Sequence, residues 1–274
     1  MSESSVAPCA AAPLSPALGR VTLIGAGPGD PELLTVRAAK ILAQADVVLY
    51  DNLVGPGVLE LLPPQAERIY VGKRASRHAL PQEEITALMV RLAQQGRHVL
   101  RLKGGDSLIF GRGGEEALGL VQAGIAFEVV PGITSAQGAS AYAGIPLTHR
   151  ELATSVVFVT GHLRDSAEQP LAAELNWPML ARPQQTVVVY MGVSNLPTIS
   201  AQLQQQGMPA DTPAAIIEKI SRPEQRCIVG TIANLPELAQ AHQIRPPALI
   251  VIGAVVGLHA QLLPHLRTPA DHPL

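Results

Sequence analysis

Short apolar runs rich in β-branched residues recur along this chain, separated by longer stretches of mixed polarity. In the first half, Val21–Gly25, Asp46–Tyr50, Arg68–Val71, His98–Leu102 and Phe127–Val130 read as strands. Leu34–Ala45, Pro81–Gln95 and Glu115–Ala123 read as the helices between them. Pro81 suits a first helical position, the acids after it suit the positive end of the helix dipole, and Gly96 suits the exit. Strand–helix alternation of this kind predicts a mostly parallel sheet with helices on both faces.

A second series follows at Ser155–Thr160, Thr186–Tyr190, Ala214–Ile217, Gln225–Gly230 and Ala248–Ile252. Ile217 and Arg226 are close enough to imply a hairpin, so the second sheet should be mixed. Pro131–His149, rich in glycine and proline, is the natural crossing, with a short helix in its middle. The expected organisation is a disordered Ala/Pro/Ser-rich lead-in over residues 1–19, α/β domains over 20–145 and 146–262, and a tail over 263–274.

Composition narrows the function. Of 274 residues, 47% are hydrophobic, enough for two buried cores, but only 3% are aromatic, which leaves few rings to stack on nucleobases. A net charge of −2 argues against nonspecific nucleic-acid binding. Basic residues bunch at Lys73–Arg77 and from Arg97 to Arg112, beside glycine-rich loops, which keeps a polyanion site open. Two cysteines, Cys9 and Cys227, imply neither a disulfide framework nor a thiolate metal site, and suit a reducing compartment. The apolar run Ala248–Leu258 is too short to span a bilayer, and the first residues lack the layout of a signal peptide. The expected setting is cytoplasmic, with no membrane partner.

The first strand runs into Gly25-Ala26-Gly27-Pro28-Gly29-Asp30-Pro31. A dinucleotide fingerprint would need its third glycine where Asp30 stands, and Pro28 removes a backbone donor, so a nicotinamide oxidoreductase is disfavoured. The fourth strand ends in Arg101-Leu102-Lys103-Gly104-Gly105-Asp106, followed by a glycine- and charge-dense stretch to Glu116. Paired glycines allow close backbone approach to a ligand, and Asp106 is either a ribose acceptor or a turn residue. Asp51 follows the second strand and Lys73 the third; if those strands are parallel neighbours, the two could serve as proton acceptor and donor, or simply pair. Arg112 and Glu115, three apart at a helix start, could also pair. Arg150 is a candidate carboxylate clamp, and Met191 is either core or the soft wall of a nucleoside pocket. His149 and His162 lack metal-ligand spacing and read as hydrogen-bonded structural residues. No phosphate-binding loop, serine elbow or zinc-protease motif is present.

Gly25–Pro31, Tyr50-Asp51, Gly72-Lys73, Leu102–Glu116, Pro131-Gly132-Ile133-Thr134, Pro146–Arg150, Thr160-Gly161-His162 and Tyr190-Met191-Gly192 together resemble the tetrapyrrole methylases. The likeness covers about Val21 to Leu258 and is closest to members that methylate carbons 2 and 7 of uroporphyrinogen III to give precorrin-2. The resemblance implies two α/β domains with a cleft between them, a homodimer, and S-adenosylmethionine as methyl donor with no metal. It implies donor contacts at Pro28, Gly104, Gly105, Asp106, Ile109, Thr134, Ser135, Met191 and Ile220. It implies Asp51 as proton acceptor, Lys73 as proton donor, and Arg112, Glu115 and Arg150 as substrate contacts, with Arg112 also assisting catalysis. The product would feed cobalamin, sirohaem or haem d1 synthesis.

Ser107-Leu108, Asn52 and Ile220 depart from the residues usual in that family. The oxidising and iron-inserting domain of fused relatives has no counterpart in this sequence, so the expected activity stops at precorrin-2. A methylase of a later corrin precursor and a non-catalytic tetrapyrrole carrier are the rival expectations.

Overall fold

The computed structural model describes residues 18–72, 81–162 and 175–267. Lys73 and the rest of the first basic cluster, Cys9, the expected lead-in through residue 17 and the tail from 268 lie outside them. The chain forms two α/β domains, each built on a five-stranded sheet.

The first sheet contains β1 (Arg20–Gly25), β2 (Val47–Tyr50), β3 (Glu67–Tyr70), β4 (His98–Lys103) and β5 (Ala126–Val130) in the order β3-β2-β4-β1-β5. Every pairing is parallel. β1 and β4 lie in the middle and are buried almost end to end, Arg101 and Lys103 of β4 included. Around the sheet run α1 (Val36–Leu42), α2 (Pro56–Glu60), α3 (Gln82–Gln94) and α4 (Gly113–Gln122). Leu42, Val48, Val58 and Leu100 fill one face; Leu49, Met89, Val99 and Leu120 fill the other.

α1 and α3 are shorter than the apolar pattern alone suggests, whereas α4 starts two residues before its expected Glu115. Thr35 caps α1, its hydroxyl accepting from the Ala38 N–H at 3.2 Å, so the residues before it stay outside the helix. Pro81, expected at the first helical position, is instead the N-cap of α3, which starts one residue later at Gln82. The five-residue α2 is too short to produce a readable period and was not foreseen.

The crossing contains α5 (Ser135–Ala143), and the second domain follows as β6 (Ser155–Thr160), α6 (Trp177–Leu180), β7 (Gln185–Tyr190), α7 (Leu196–Gln205), β8 (Pro213–Glu218), β9 (Arg226–Thr231), α8 (Leu235–Ala241), β10 (Ala248–Ile252) and α9 (His259–Leu262). Its sheet order is β6-β7-β10-β8-β9. β6 and β7 are parallel and the other pairs antiparallel; the β8–β9 hairpin sets Ile217 against Cys227. Trp177, the chain's single tryptophan, is buried in the core on one face, with Val187, Leu203 and Ile250. On the other face Ala136, Ala139 and Ala143 of α5 pack against Val188, Ile217 and Val251. Burial pushes the Cys227 thiol up to about 11, so it is unreactive near neutrality.

The carboxyl ends of β1, β4 and β5 converge backbone to backbone. Gly27 and Gly105 exchange hydrogen bonds at 3.1 and 2.7 Å. A Cβ on Gly132 would lie 2.4 Å from the Gly105 carbonyl oxygen and 2.6 Å from the Gly25 carbonyl carbon. Both obstacles are main chain, so no side-chain rotation relieves the clash. Gly132→Ala should therefore lower stability by about 1–3 kcal/mol, read as a reduced urea midpoint; an unchanged midpoint would show that these strand ends can part.

Candidate functional site

In parallel sheets ligands bind outside the carboxyl ends of the strands, where the strand order reverses. Here β1 leads outward to β2 and β3, while β4 and β5 take the places on either side of β1. Above that switch lies a cavity of about 360 Å³ between the two domains, within the range of small-molecule sites. The first domain contributes Pro28, Leu53, Gly104 and Gly105, and α5 contributes Ser135. The second domain contributes His162, Tyr190, Met191, Ile220, Arg222 and the segment Pro246–Leu249.

Six of the expected donor contacts line this space: Pro28, Gly104, Gly105, Ser135, Met191 and Ile220. Met191 is half exposed and holds a left-handed backbone, φ 54°, which turns it out of the sheet rather than into the core. Asp106, Ile109 and Thr134 do not line the cavity: Ile109 is exposed, and the other two brace the loops that do. The Asp106 carboxylate accepts from the Leu108 N–H at 2.8 Å and the Gly132 N–H at 3.0 Å, fastening the glycine loop to the end of β5. Thr134 is buried, and its hydroxyl lies 2.6 Å from that of Tyr190. Tyr190 also accepts from the Ala136 N–H at 3.1 Å, and its ring sits 4.8 Å from that of Phe110. It thus ties the first domain's loop and α5 to β7, and burial holds its phenol above the ordinary value.

Asp51, at the end of β2, is mostly buried and firmly held. Its Oδ1 accepts from the Leu53 N–H at 3.0 Å, and its Oδ2 lies 3.3 Å from the Arg101 guanidinium. Arg101 belongs to a buried charge cluster. Glu116 Oε1 accepts from Arg101 Nε at 3.0 Å, Lys103 Nζ at 3.0 Å and Gln82 Nε2 at 2.8 Å. Its Oε2 has no hydrogen-bond partner among the described residues. Burial, and then the neighbouring Arg101 charge, push the Lys103 ammonium below its ordinary value against the pull of Glu116. Arg101 and Lys103 alternate on one strand and so share a face, which the sequence displays, but their use as a support for Asp51 was not foreseen.

Arg112 and Glu115 pair at 2.9 Å on the exposed start of α4, and the bond from Arg112 holds the Glu115 carboxyl below its usual range. Arg112 adopts a left-handed backbone, φ 58°, at the head of that helix. Arg150 is exposed in the turn before β6, and His149 Nδ1 accepts from the Glu151 N–H at 3.2 Å. Sequence reasoning missed the cavity roles of Leu53, Arg222 and Pro246–Leu249 and treated His162 as purely structural. No motif marks the first three, because their position depends on how the domains meet. Among the described residues no group of His, Cys, Asp and Glu could hold a metal ion, and no helix is long and apolar enough to cross a membrane.

Known proteins share this two-domain fold. Siroheme synthases from Nitrosospira multiformis and Azotobacter vinelandii are 55% and 56% identical over 247 and 246 residues, 90% of this chain in each case. Those stretches are 51% and 52% of the relatives, so the chain spans about half the length of the curated relatives it matches. A uroporphyrin-III C-methyltransferase from Thermus thermophilus superposes with a TM-score of 0.74 at 41% identity, over 88% of this chain and 94% of that one. The same Thermus enzyme complexed with S-adenosylhomocysteine gives a TM-score of 0.73 at 41% identity, over 87% and 93%. A cobalt precorrin-4 methyltransferase of cobalamin biosynthesis gives 0.75 at 30% identity, over 86% and 95%. The family pattern of the tetrapyrrole (corrin/porphyrin) methylases matches residues 20–236, which run from β1 into the second domain, and the chain belongs to that family.

Proposed function

We propose that this chain transfers methyl groups from S-adenosylmethionine to carbons 2 and 7 of uroporphyrinogen III, giving precorrin-2 for sirohaem, cobalamin or haem d1 synthesis. The observation that carries this reading is the interdomain cavity, formed by the glycine loop after β4 and by Met191 and Ile220 across from it. It is supported by the likeness to the Thermus thermophilus enzyme, which has been seen with S-adenosylhomocysteine. Under this reading the protein works as a cytoplasmic homodimer.

The residues present suit the donor. The lining is mainly apolar, as an adenine ring and a thioether require, with the hydroxyls of Ser135 and Ser194 at its edge. Gly104 is needed where the loop passes Leu53, since a Cβ there would lie 2.7 Å from the Leu53 Cβ. When bound, S-adenosylmethionine supplies an electrophilic methyl group on a positively charged sulfur.

The protein's first task is alignment. With both ligands bound, the two domains would have to hold the pyrrole carbon in line with the methyl group, at a separation of about 3–3.5 Å. Methyl transfer to that carbon would leave the sulfur–carbon electron pair on sulfur and a positive charge on the macrocycle. A proton must then leave the macrocycle. Asp51, fixed by Arg101 and the Leu53 N–H, is the group we assign to accept it, with Lys73 and Arg112 assisting. Arg112, Glu115 and Arg150 are assigned to the substrate rim, where guanidinium groups suit a polycarboxylate.

Incubation of the protein with uroporphyrinogen III and isotopically labelled donor should give a product heavier by two methyl groups. No gain, or a gain only on a later corrin precursor, would reject this assignment. Arg112→Leu should lower turnover by about 100-fold or more, while calorimetric affinity for S-adenosylhomocysteine stays near that of the unaltered protein. Undiminished turnover would remove Arg112 from the mechanism.

A further inference from the structure

Outside the cavity wall, four residues from three separate segments close a ring of hydrogen bonds. The Tyr142 hydroxyl, on α5, donates to Asp30 Oδ2 at 2.7 Å. The Asp30 N–H, in the loop after β1, donates to Ser221 Oγ at 3.0 Å. The Ser221 N–H, in the turn between β8 and β9, donates to Gln225 Oε1 at 2.8 Å. Gln225 Nε2 donates back to the Tyr142 carbonyl at 3.0 Å. The first domain, the crossing helix and the second domain each contribute to this ring.

Each segment also supplies cavity wall. Pro28 stands two residues before Asp30, Ile220 directly precedes Ser221, and Ser135 opens the helix that carries Tyr142. Pro28 and Ile220 meet over Gly138, one helical turn before Tyr142. A Cβ there would lie 2.7 Å from Pro28 Cγ and 3.1 Å from Ile220 Cγ2. The turn around Ile220 is itself strained, with Lys219 at φ 51° and Ser221 at φ 58°. Non-glycine residues keep that conformation only when surrounding contacts hold them, and both bonds of the Ser221 backbone and side chain belong to the ring.

We propose that this ring sets the distance between Pro28 and Ile220, and that Tyr142 is a positioning residue for binding of the methyl donor. The proposal rests on the donor reading of the cavity given above. Burial and the Asp30 carboxylate hold the Tyr142 phenol well above its ordinary value, so it remains a donor across the working pH range. Asp30 keeps its other oxygen on the Glu32 N–H at 2.9 Å, which orients the carboxylate towards the phenol.

The test compares Tyr142→Phe, Ser221→Ala and Asp30→Asn with the unaltered protein, by calorimetry with S-adenosylhomocysteine and by steady-state methyl transfer to uroporphyrinogen III. Tyr142→Phe and Ser221→Ala each break one bond of the ring, and should raise the Kd for S-adenosylhomocysteine and the KM for the donor about 5- to 10-fold. The kcat at saturating donor and the KM for the tetrapyrrole should not move. Asp30→Asn has one oxygen for two donors, the Tyr142 hydroxyl and the Glu32 N–H, and should raise the Kd for S-adenosylhomocysteine in the same direction. Unchanged donor affinity in the first two variants, with or without a lower melting temperature, would overturn the ring's role, as would a loss confined to kcat. Failure of the unaltered protein to bind S-adenosylhomocysteine would instead overturn the donor reading, and this proposal with it.

Discussion

Everything at the ligand edge depends on three strand ends that approach without side chains between them. Gly25, Gly105 and Gly132 touch through their main chains, and the mutual hydrogen bonds of Gly27 and Gly105 close the loops over them. This packing brings the loops after β1 and β4 onto one side of the cavity. It also sets the Gly132 N–H where Asp106 can grip it, so the glycine loop is anchored at both ends. A bulkier strand terminus would push the loops apart, and the pocket would lose its floor before any polar contact was altered.

The second constraint is electrostatic. Arg101, Lys103, Glu116 and Asp51 form a charge-balanced group beneath the site, almost entirely withdrawn from water. Such a group adds little net stability, because desolvating the charges offsets most of their attraction. Its effect is directional. Arg101 spends its donors on Glu116, on the Leu49 and Leu102 carbonyls and on Asp51. The Asp51 carboxylate therefore has one orientation, whatever the solvent does at the rim. Withdrawing a single partner would leave an uncompensated charge inside the domain, so the cluster resists piecemeal change.

The alternating pattern of β-branched runs and helical stretches was enough to anticipate ten strands, their division between two sheets and the β8–β9 hairpin. Helix ends were less legible. Thr35 and Pro81 decide them locally through capping geometry, which a periodicity count blurs. At the site, motif residues such as Pro28, Gly104 and Met191 could be named because the sequence carries them in recognisable strings. Arg222, Leu53 and Tyr142 could not. Their partners lie far away in sequence, as with the Arg222 guanidinium that reaches the Leu53 carbonyl at 2.9 Å. Long-range pairing of this sort leaves no local signature, because the same residue would look ordinary on any solvated turn.

The placement of Trp177 has an optical consequence. It is the sole indole of the chain and lies deep in the second domain, among Val187, Leu203 and Ile250. Emission excited at the red edge of protein absorbance therefore reports that half alone. A melt followed by fluorescence traces the collapse of the mixed sheet, whereas far-ultraviolet dichroism sums both halves. Any gap between the two curves measures how independently the parallel half lets go.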